Sequence, residues 1–494
     1  MIGLSVLPFL ASTLLVVPAS YTGANFPLAL LFCLPLIAVF AYNYGLLGAA
    51  MPRTGGDYVF GSRIVHPVWG LISSTYIGIG QAIFLGLLPA LLITAFFPTV
   101  LPASISATLS QPGYVLAIGT AMIVLFLLPA IMGSRIFTGI EKFLVGIGFI
   151  GFFVFIGVMA VYSSGQFATA FTNYAKPYNT SYAGIFQLAT SNGWKVPSLN
   201  LGATVAATVF ALFFLLTAWP VYFGSEIKAA GKSIPYAIIS SNLVNWVLAM
   251  IGILLFFKVV PYNFSSALGY LSSTTAYPLP RLPTIDYIAG IVTGNFGIAF
   301  IIAIAVILWY LAYFPVYSFV NSRIFFSWSF DRIVPERFAS VSDRTGTPVF
   351  SLAIVGVIAW ISLVLATFVS IYAALLNFGV IVVLNYMPTG FSAALLPFRR
   401  KDIYQSAPSF VKAKIGRVPV ITITGLIHGI GFTALLVALL FLYPQAGGPV
   451  TPESMGIVLL LGVFAVVLYY VAKVYRKSHD GVDISLAYKE IPPE

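Results

Sequence analysis

The chain has 494 residues, 60% of them hydrophobic and only 7% charged, with a mean hydropathy of +1.01 and a formal net charge of +11 at pH 7. Soluble domains carry about 25% charged residues, so a water-facing surface is excluded and the chain reads as a polytopic helical membrane protein. The apolar runs are continuous rather than alternating, which excludes a β-barrel. The basic residues are scattered in short clusters between those runs, which excludes a nucleic-acid patch.

Each crossing needs about 20 apolar residues. Twelve spans are predicted, near residues 2–21, 26–50, 68–96, 113–132, 142–162, 203–224, 235–260, 287–318, 348–368, 370–397, 419–443 and 455–475. The chain opens MIGLSVLPFL, without the basic residues that normally precede the apolar core of a cleaved signal peptide. The single cysteine, Cys33, falls inside the second span, so structural disulfides and cysteine metal sites are excluded.

Placing the N-terminus inside puts all but four of the 24 Lys+Arg in cytoplasmic loops or the tail; Lys176, Lys195, Lys258 and Arg281 are the exceptions. Such a bias fixes orientation, and it predicts a multi-pass protein of the cell membrane with both termini cytoplasmic. Two outer loops are long, residues 163–202 and 261–286. They hold the glycosylation patterns Asn179-Thr180-Ser181 and Asn263-Phe264-Ser265.

The sixth apolar run, within Ala206–Ile238, carries Pro220 in its interior. Proline removes a backbone donor and breaks or kinks a helix, and in hydrocarbon a broken helix survives only where protein or a water-filled cavity satisfies the freed groups. The first run carries Pro8 and Pro18 around Ala11-Ser12-Thr13. Spans one and six are corresponding members of two successive five-span blocks. Interrupted spans in matching positions of two halves point to a transporter's midplane site, although proline is also frequent in membrane helices for reasons of packing.

Three loops carry more specific signals. Pro52-Arg53-Thr54-Gly55-Gly56-Asp57-Tyr58 follows the second span, and Glu226 to Ile238 (EIKAAGKSIPYAI) follows the sixth. Ser322-Arg323, Asp331, Pro335 and Gly346-Thr347-Pro348 follow the eighth. In order and spacing these resemble three cytoplasmic signatures of the amino acid–polyamine–organocation permeases, over roughly residues 8–400. The resemblance implies an all-α fold of about twelve helices, a leucine-transporter-like five-plus-five inverted repeat with helices one and six broken and two extra C-terminal helices. It implies a transporter core over 1–397, with repeats near 1–162 and 203–397. Two peripheral helices over 398–475 and a cytoplasmic tail over 476–494 follow.

The resemblance also implies a substrate site between helices one and six. The family's Gly-Ser-Gly frame reads Ala11-Ser12-Thr13 here, keeping the serine and losing both glycines. The unwound turn of helix six falls at Leu215, Leu216, Thr217 and Ala218, with Phe213 and Phe214 at the family's aromatic gate positions. Gln81 aligns with a substrate-lining position and Tyr317 with a gate aromatic; interhelical hydrogen bonding and packing are the competing readings. Asn321 shares Tyr317's face. Asn242, Asn245, Asn377, Asn385 and His428 are expected to be structural. For coupling, the family's fifth-span lysine position reads Gly148, with Lys142 nearer the cytoplasm. Between Phe296 and Tyr317 there is no Ser or Thr for a sodium site, and no carboxylate is expected in mid-membrane. Proton, sodium, exchange and uniport therefore all stay open.

Three function classes compete. A secondary permease for amino acids, neutral ones above all because the site lacks an acid to pair a second cation, is favoured. An exchanger of the same fold for polyamines, cationic amino acids or other organic amines is the alternative. An intramembrane enzyme would need a cluster such as HExxH, and His66, His428 and His479 are far apart. A permease-shaped receptor would need an added domain. No cofactor motif is present.

Overall fold

The computed structural model describes residues 5–369, 377–442 and 450–491. In chain order the helices are α1 (Val6–Ser20), α2 (Phe26–Ala50), α3 (Asp57–Ile64), α4 (Pro67–Leu91), α5 (Phe97–Val100), α6 (Ala103–Leu109) and α7 (Pro112–Ile131). Then come α8 (Ser134–Val161), α9 (Ser164–Ala175), α10 (Tyr182–Ser191), α11 (Leu201–Leu215), α12 (Ala230–Val259), α13 (Tyr262–Ser272) and α14 (Ile285–Thr293). The last are α15 (Phe296–Leu311), α16 (Tyr313–Phe330), α17 (Val349–Phe368), α18 (Phe378–Arg399), α19 (Lys401–Ser406), α20 (Val420–Val437) and α21 (Pro452–His479). Among the described residues the strands are a two-residue hairpin, β1 (Lys414–Ile415) against β2 (Val418–Pro419), in the basic loop before α20.

Among the described residues ten helices, some of them joined end to end, are long and apolar enough to cross a membrane. The protein is an all-α polytopic membrane protein. The predicted spans one and six correspond instead to α1 and α11, of 15 residues each. At 1.5 Å per residue each measures roughly 22 Å, short of a hydrocarbon core about 30 Å thick. These are the two spans the sequence marks as interrupted.

Several boundaries move. The eighth span runs on as α15 and α16 from Phe296 to Phe330, not 287–318, with a step at Ala312. Pro315 accounts for the step, since it cannot donate to the carbonyl of Leu311. Residues 285–293 form the separate short helix α14. The fifth span begins at Ser134 rather than 142. The first part of the predicted tenth span, residues 370–376, lies outside the described residues.

The expected break in helix one does not occur: the backbone is helical straight through Ala11, Ser12 and Thr13. Without the family's two glycines nothing there favours unwinding, and alanine is the strongest helix former. Pro8 stands in the first turn, where its missing N–H costs no intrahelical bond.

Lipid offers no hydrophobic drive for helices to associate, so close approach at small residues holds them together. On α4, a Cβ added to Gly86 would meet the Ala359 carbonyl of α17 at 2.1 Å, and on α18 one added to Gly390 would meet the Gly429 nitrogen of α20 at 2.5 Å. The two long loops fold into α9, α10, α13 and α14, which pack on one another; Tyr182 stacks on Phe264 with ring centroids 4.4 Å apart. Asn179 and Asn263 of the two glycosylation patterns are exposed on this cap.

Within the cap, Asp286 of α14 is buried and its Oδ1 has no hydrogen-bond partner. Burial pushes its pKa up to about 6, against smaller pulls from neighbouring hydrogen-bond donors and Arg281. An unfolded aspartate titrates near 3.9, so the folded chain holds the extra proton between these values. Stability from this group is therefore greatest below about pH 4 and is lost as pH rises towards 6. Asp286→Asn is expected to gain about 2 kcal/mol over the wild type at neutral pH and to lose that advantage in acid. Paired thermal melts in detergent across that range check it; a difference that does not change with pH would refute it.

Candidate functional site

α11 stops at Leu215. Leu216 is extended (φ −75°, ψ 132°) and Ala218 lies at φ −131°, ψ 12°, before a 3₁₀ turn over Trp219–Tyr222. These are conformations that any L-residue adopts, so the break needs no glycine. Its freed backbone groups are met by α12. Asn242 Nδ2 donates to the Thr217 carbonyl at 2.7 Å, and its Oδ1 accepts from the Thr217 N–H at 3.1 Å. One turn on, Asn245 Nδ2 donates to the Leu215 carbonyl at 3.3 Å, and its Oδ1 accepts from the Ser5 N–H at 3.0 Å. Asn242 and Asn245, expected from the sequence to be structural, hold the break itself.

Beside the break lies a cavity of about 30 Å³. It is lined by Gly80, Gln81 and Phe84 of α4, Phe213 of α11, Trp219 after the break, Tyr317 of α16, and Phe378, Asn385 and Tyr386 of α18. Pockets for small organic molecules run to roughly 300–1,000 Å³, and this one holds a water or two. The aromatic rings close it. Phe84 lies 5.5 Å from Phe213, 6.1 Å from Tyr317 and 5.3 Å from Phe378, and Trp219 lies 5.4 Å from Tyr317. Among the described residues no charged side chain lines it. The Gln81 Oε1 is buried there without a hydrogen-bond partner.

The structure thus brings together Gln81, Phe213 and Tyr317 of the predicted set. Phe214 turns away to pack against Phe9 at 6.2 Å. Ala11, Ser12 and Thr13 are buried on α1 outside the cavity wall. The Ser12 hydroxyl pairs with that of Tyr310, which itself donates to the Pro8 carbonyl at 3.1 Å. Leu215, Leu216, Thr217 and Ala218 are buried at the break, with the Thr217 N–H spent on Asn242. Thr13 Oγ1 and Thr217 Oγ1 lack partners, as do Ser318 Oγ and both ends of the Asn321 carboxamide. His428 sits among the Phe40, Tyr44 and Phe432 rings with Nδ1 3.5 Å from the Asn43 amide, as a packed residue.

The face bearing the basic loops is tied together by a polar network. Gly55 and Gly56 have φ of +115° and +50°, and a Cβ on either would lie 2.7 Å from Ser327 or Tyr222 respectively. That close turn lets Thr54 pair with Phe223 and brings Asp57 beneath three helices. The Tyr44, Tyr222 and Thr389 hydroxyls all donate to its carboxylate. Burial raises the Asp57 pKa, and the three donors oppose it. Arg63 makes a two-pronged pair with Asp331, at 2.5 and 2.7 Å, to which Tyr58 also donates. Arg323 pairs with Glu226 at 3.0 Å and lies over the Phe319 ring.

The sequence profile of the family described as amino acid permease matches residues 1–466. The chain belongs to the amino acid permease family. A comparison with curated proteins finds no match. The match spans the helices of the cavity and all three loop signatures, and the permease is a transporter of amino acids or related organic molecules, of a family without enzymatic activity.

Two residues of note, Trp219 in the wall of the Gln81 cavity and Glu141 in a separate one, were not singled out from the sequence. Trp219 stands next to Pro220 but outside the frame of the unwound turn, so only its place in the folded chain marks it. Glu141 fell one residue before the predicted fifth span, yet it lies two turns inside α8, where it is 1% exposed. Its burial could not be read without the true helix start.

Proposed function

We propose that this permease moves neutral amino acids, those with apolar or aromatic side chains foremost, across the cell membrane by alternating access around the Gln81 cavity. The observation that carries the reading is the composition of that cavity: rings and aliphatic groups, one unpartnered buried amide oxygen and no charge, set against a broken helix. A free ammonium or carboxylate placed there would meet amide and hydroxyl dipoles and backbone ends, while a second fixed charge would be unpaired. In this reading the basic face lies in the cytoplasm with both termini. Residues near 1–162 and 203–397 form the two repeats that rock about the site, and 398–475 are peripheral.

Proteoliposomes tested with a panel of labelled amino acids and amines check this. Uptake is expected to be greatest for leucine-, phenylalanine- or alanine-like substrates; fastest uptake of arginine or putrescine would overturn it. The aromatic ring of the cavity favours one second reading, an organic ammonium ion held by cation–π contact, which a quaternary amine in the same panel would reveal. Gln81→Ala is expected to raise KM about tenfold, one hydrogen bond's worth. An unchanged KM and rate would leave Gln81 as a contact between helices.

A further inference from the structure

A second cavity, of about 430 Å³, lies among α8, α12 and the segment that follows the break in α11. Glu141 lines it, together with Thr138, Pro220, Phe223, Ser240 and Ser241. Glu141 is 1% exposed, and its Oε2 has no hydrogen-bond partner. The neighbouring hydroxyls are spent on their own helices. Thr138 donates to the Arg135 carbonyl at 3.0 Å, Ser240 to Tyr236 at 2.7 Å and Ser241 to Ile238 at 3.2 Å. A charged carboxylate oxygen left without a donor in such surroundings is costly, and uptake of a proton removes that charge. Among the described residues no side chain donates a hydrogen bond to Oε2.

The charged and titratable groups around it are few. Lys142 and Tyr236 line the same cavity, and both are exposed. The positive charge of Lys142 acts on Glu141 through space. On α15, the helix packed along this side of α8, the residues against Gly148 and Gly151 are Trp309 and Ala305, without charge. Pro220 and Phe223 share the cavity wall. They belong to the segment that leads directly from the substrate-site break, and Trp219, the residue before Pro220, lines the Gln81 cavity. A change of charge at Glu141 is therefore felt by the element that closes the site.

We propose that Glu141 is the coupling site of this permease: Oε2 takes up a proton on one side of the membrane and releases it on the other, in step with substrate. The O–H bond formed on uptake is the bond broken on release, and no other reactant is needed. The proposal rests on the transport reading above.

Proteoliposomes of wild type, Glu141→Gln and Glu141→Asp test it through two measurements. In the first, an inward proton gradient is imposed and uptake is compared with gradient-free counterflow. A gradient of one pH unit is worth about tenfold in accumulation, and the wild type is expected to show that rise. Glu141→Gln should lose it while keeping counterflow near the wild-type rate, and Glu141→Asp should retain it. An equal gradient response in Glu141→Gln, or none in the wild type, overturns the proposal. The second measurement needs no substrate: infrared difference spectra between acid and alkaline pH should show a carboxyl band in the wild type that is absent from Glu141→Gln. The same band in both chains overturns the proposal. If the band behaves as expected and no amino acid shows counterflow, the protonation site stands and the substrate reading falls.

Discussion

Arg63→Ala is expected to cost about 3–5 kcal/mol of stability, the usual penalty for breaking a fully buried ion pair and leaving one charge behind. Arg63 and Asp331 are 4% and 3% exposed, and the fork of two hydrogen bonds leaves Asp331 dependent on one partner for its charge. The alanine also removes the guanidinium that lies 4.9 Å from the Tyr488 ring and donates to the Glu490 carbonyl at 3.2 Å, so the C-terminal segment loses one of its anchors. Thermal unfolding in detergent should show the loss. Arg323→Ala provides the contrast, because its partner Glu226 is one-third exposed and can be rehydrated; the expected cost is nearer 1 kcal/mol. Replacing Arg63 and Asp331 together by methionines should recover most of the loss, since a buried pair adds little over an apolar one of similar volume. Equal effects from the two arginines would contradict this account.

Asp57→Ala is expected to cost about 3 kcal/mol or more, because it strips the acceptor from three buried hydroxyls at once. Those hydroxyls come from Tyr44 on α2, Tyr222 beyond the break and Thr389 on α18, so the carboxylate ties together parts that must separate if this face opens. Asp57→Asn separates charge from hydrogen bonding. Its amide oxygen can still accept from Tyr44 and Thr389, and the Tyr222 hydroxyl can turn to accept from the new amide. The asparagine variant should therefore melt close to the wild type while the alanine variant does not. Transport follows the same order in the proposed cycle, checked by counterflow rates in liposomes. If both variants melted alike, the charge and not the hydrogen bonds would be what matters.

The contrast between helices one and six bears on how far a family frame carries. Both lack glycine, and the same frame predicts a break in each. In α11 the break forms because two asparagines on α12 replace the lost hydrogen bonds at Leu215 and Thr217. At Ala11–Thr13 the Ala-Ser-Thr segment is left to its own propensity and stays helical. The partner of a break, rather than the residues in it, decides whether it opens.

Membrane residence, all-helical class and the places of the basic loops were legible in the residues themselves, because hydrophobicity and charge are properties each residue carries wherever it stands. The loop signatures were legible for a related reason: Gly55 and Gly56 are demanded by a tight turn with positive φ within a few residues. Gln81, Phe213 and Tyr317 could be named as candidates, but not shown to meet. What tertiary structure alone decided was which polar groups find partners. Asn242 reaches the break across 25 residues, Tyr222 reaches Asp57 across 165 and Thr389 reaches it across 332. Glu141 and Gln81 are left with an unpartnered oxygen by the same packing. Burial in hydrocarbon can be summed along a sequence; the satisfaction of a hydrogen bond depends on a second group whose position only the packed helices determine.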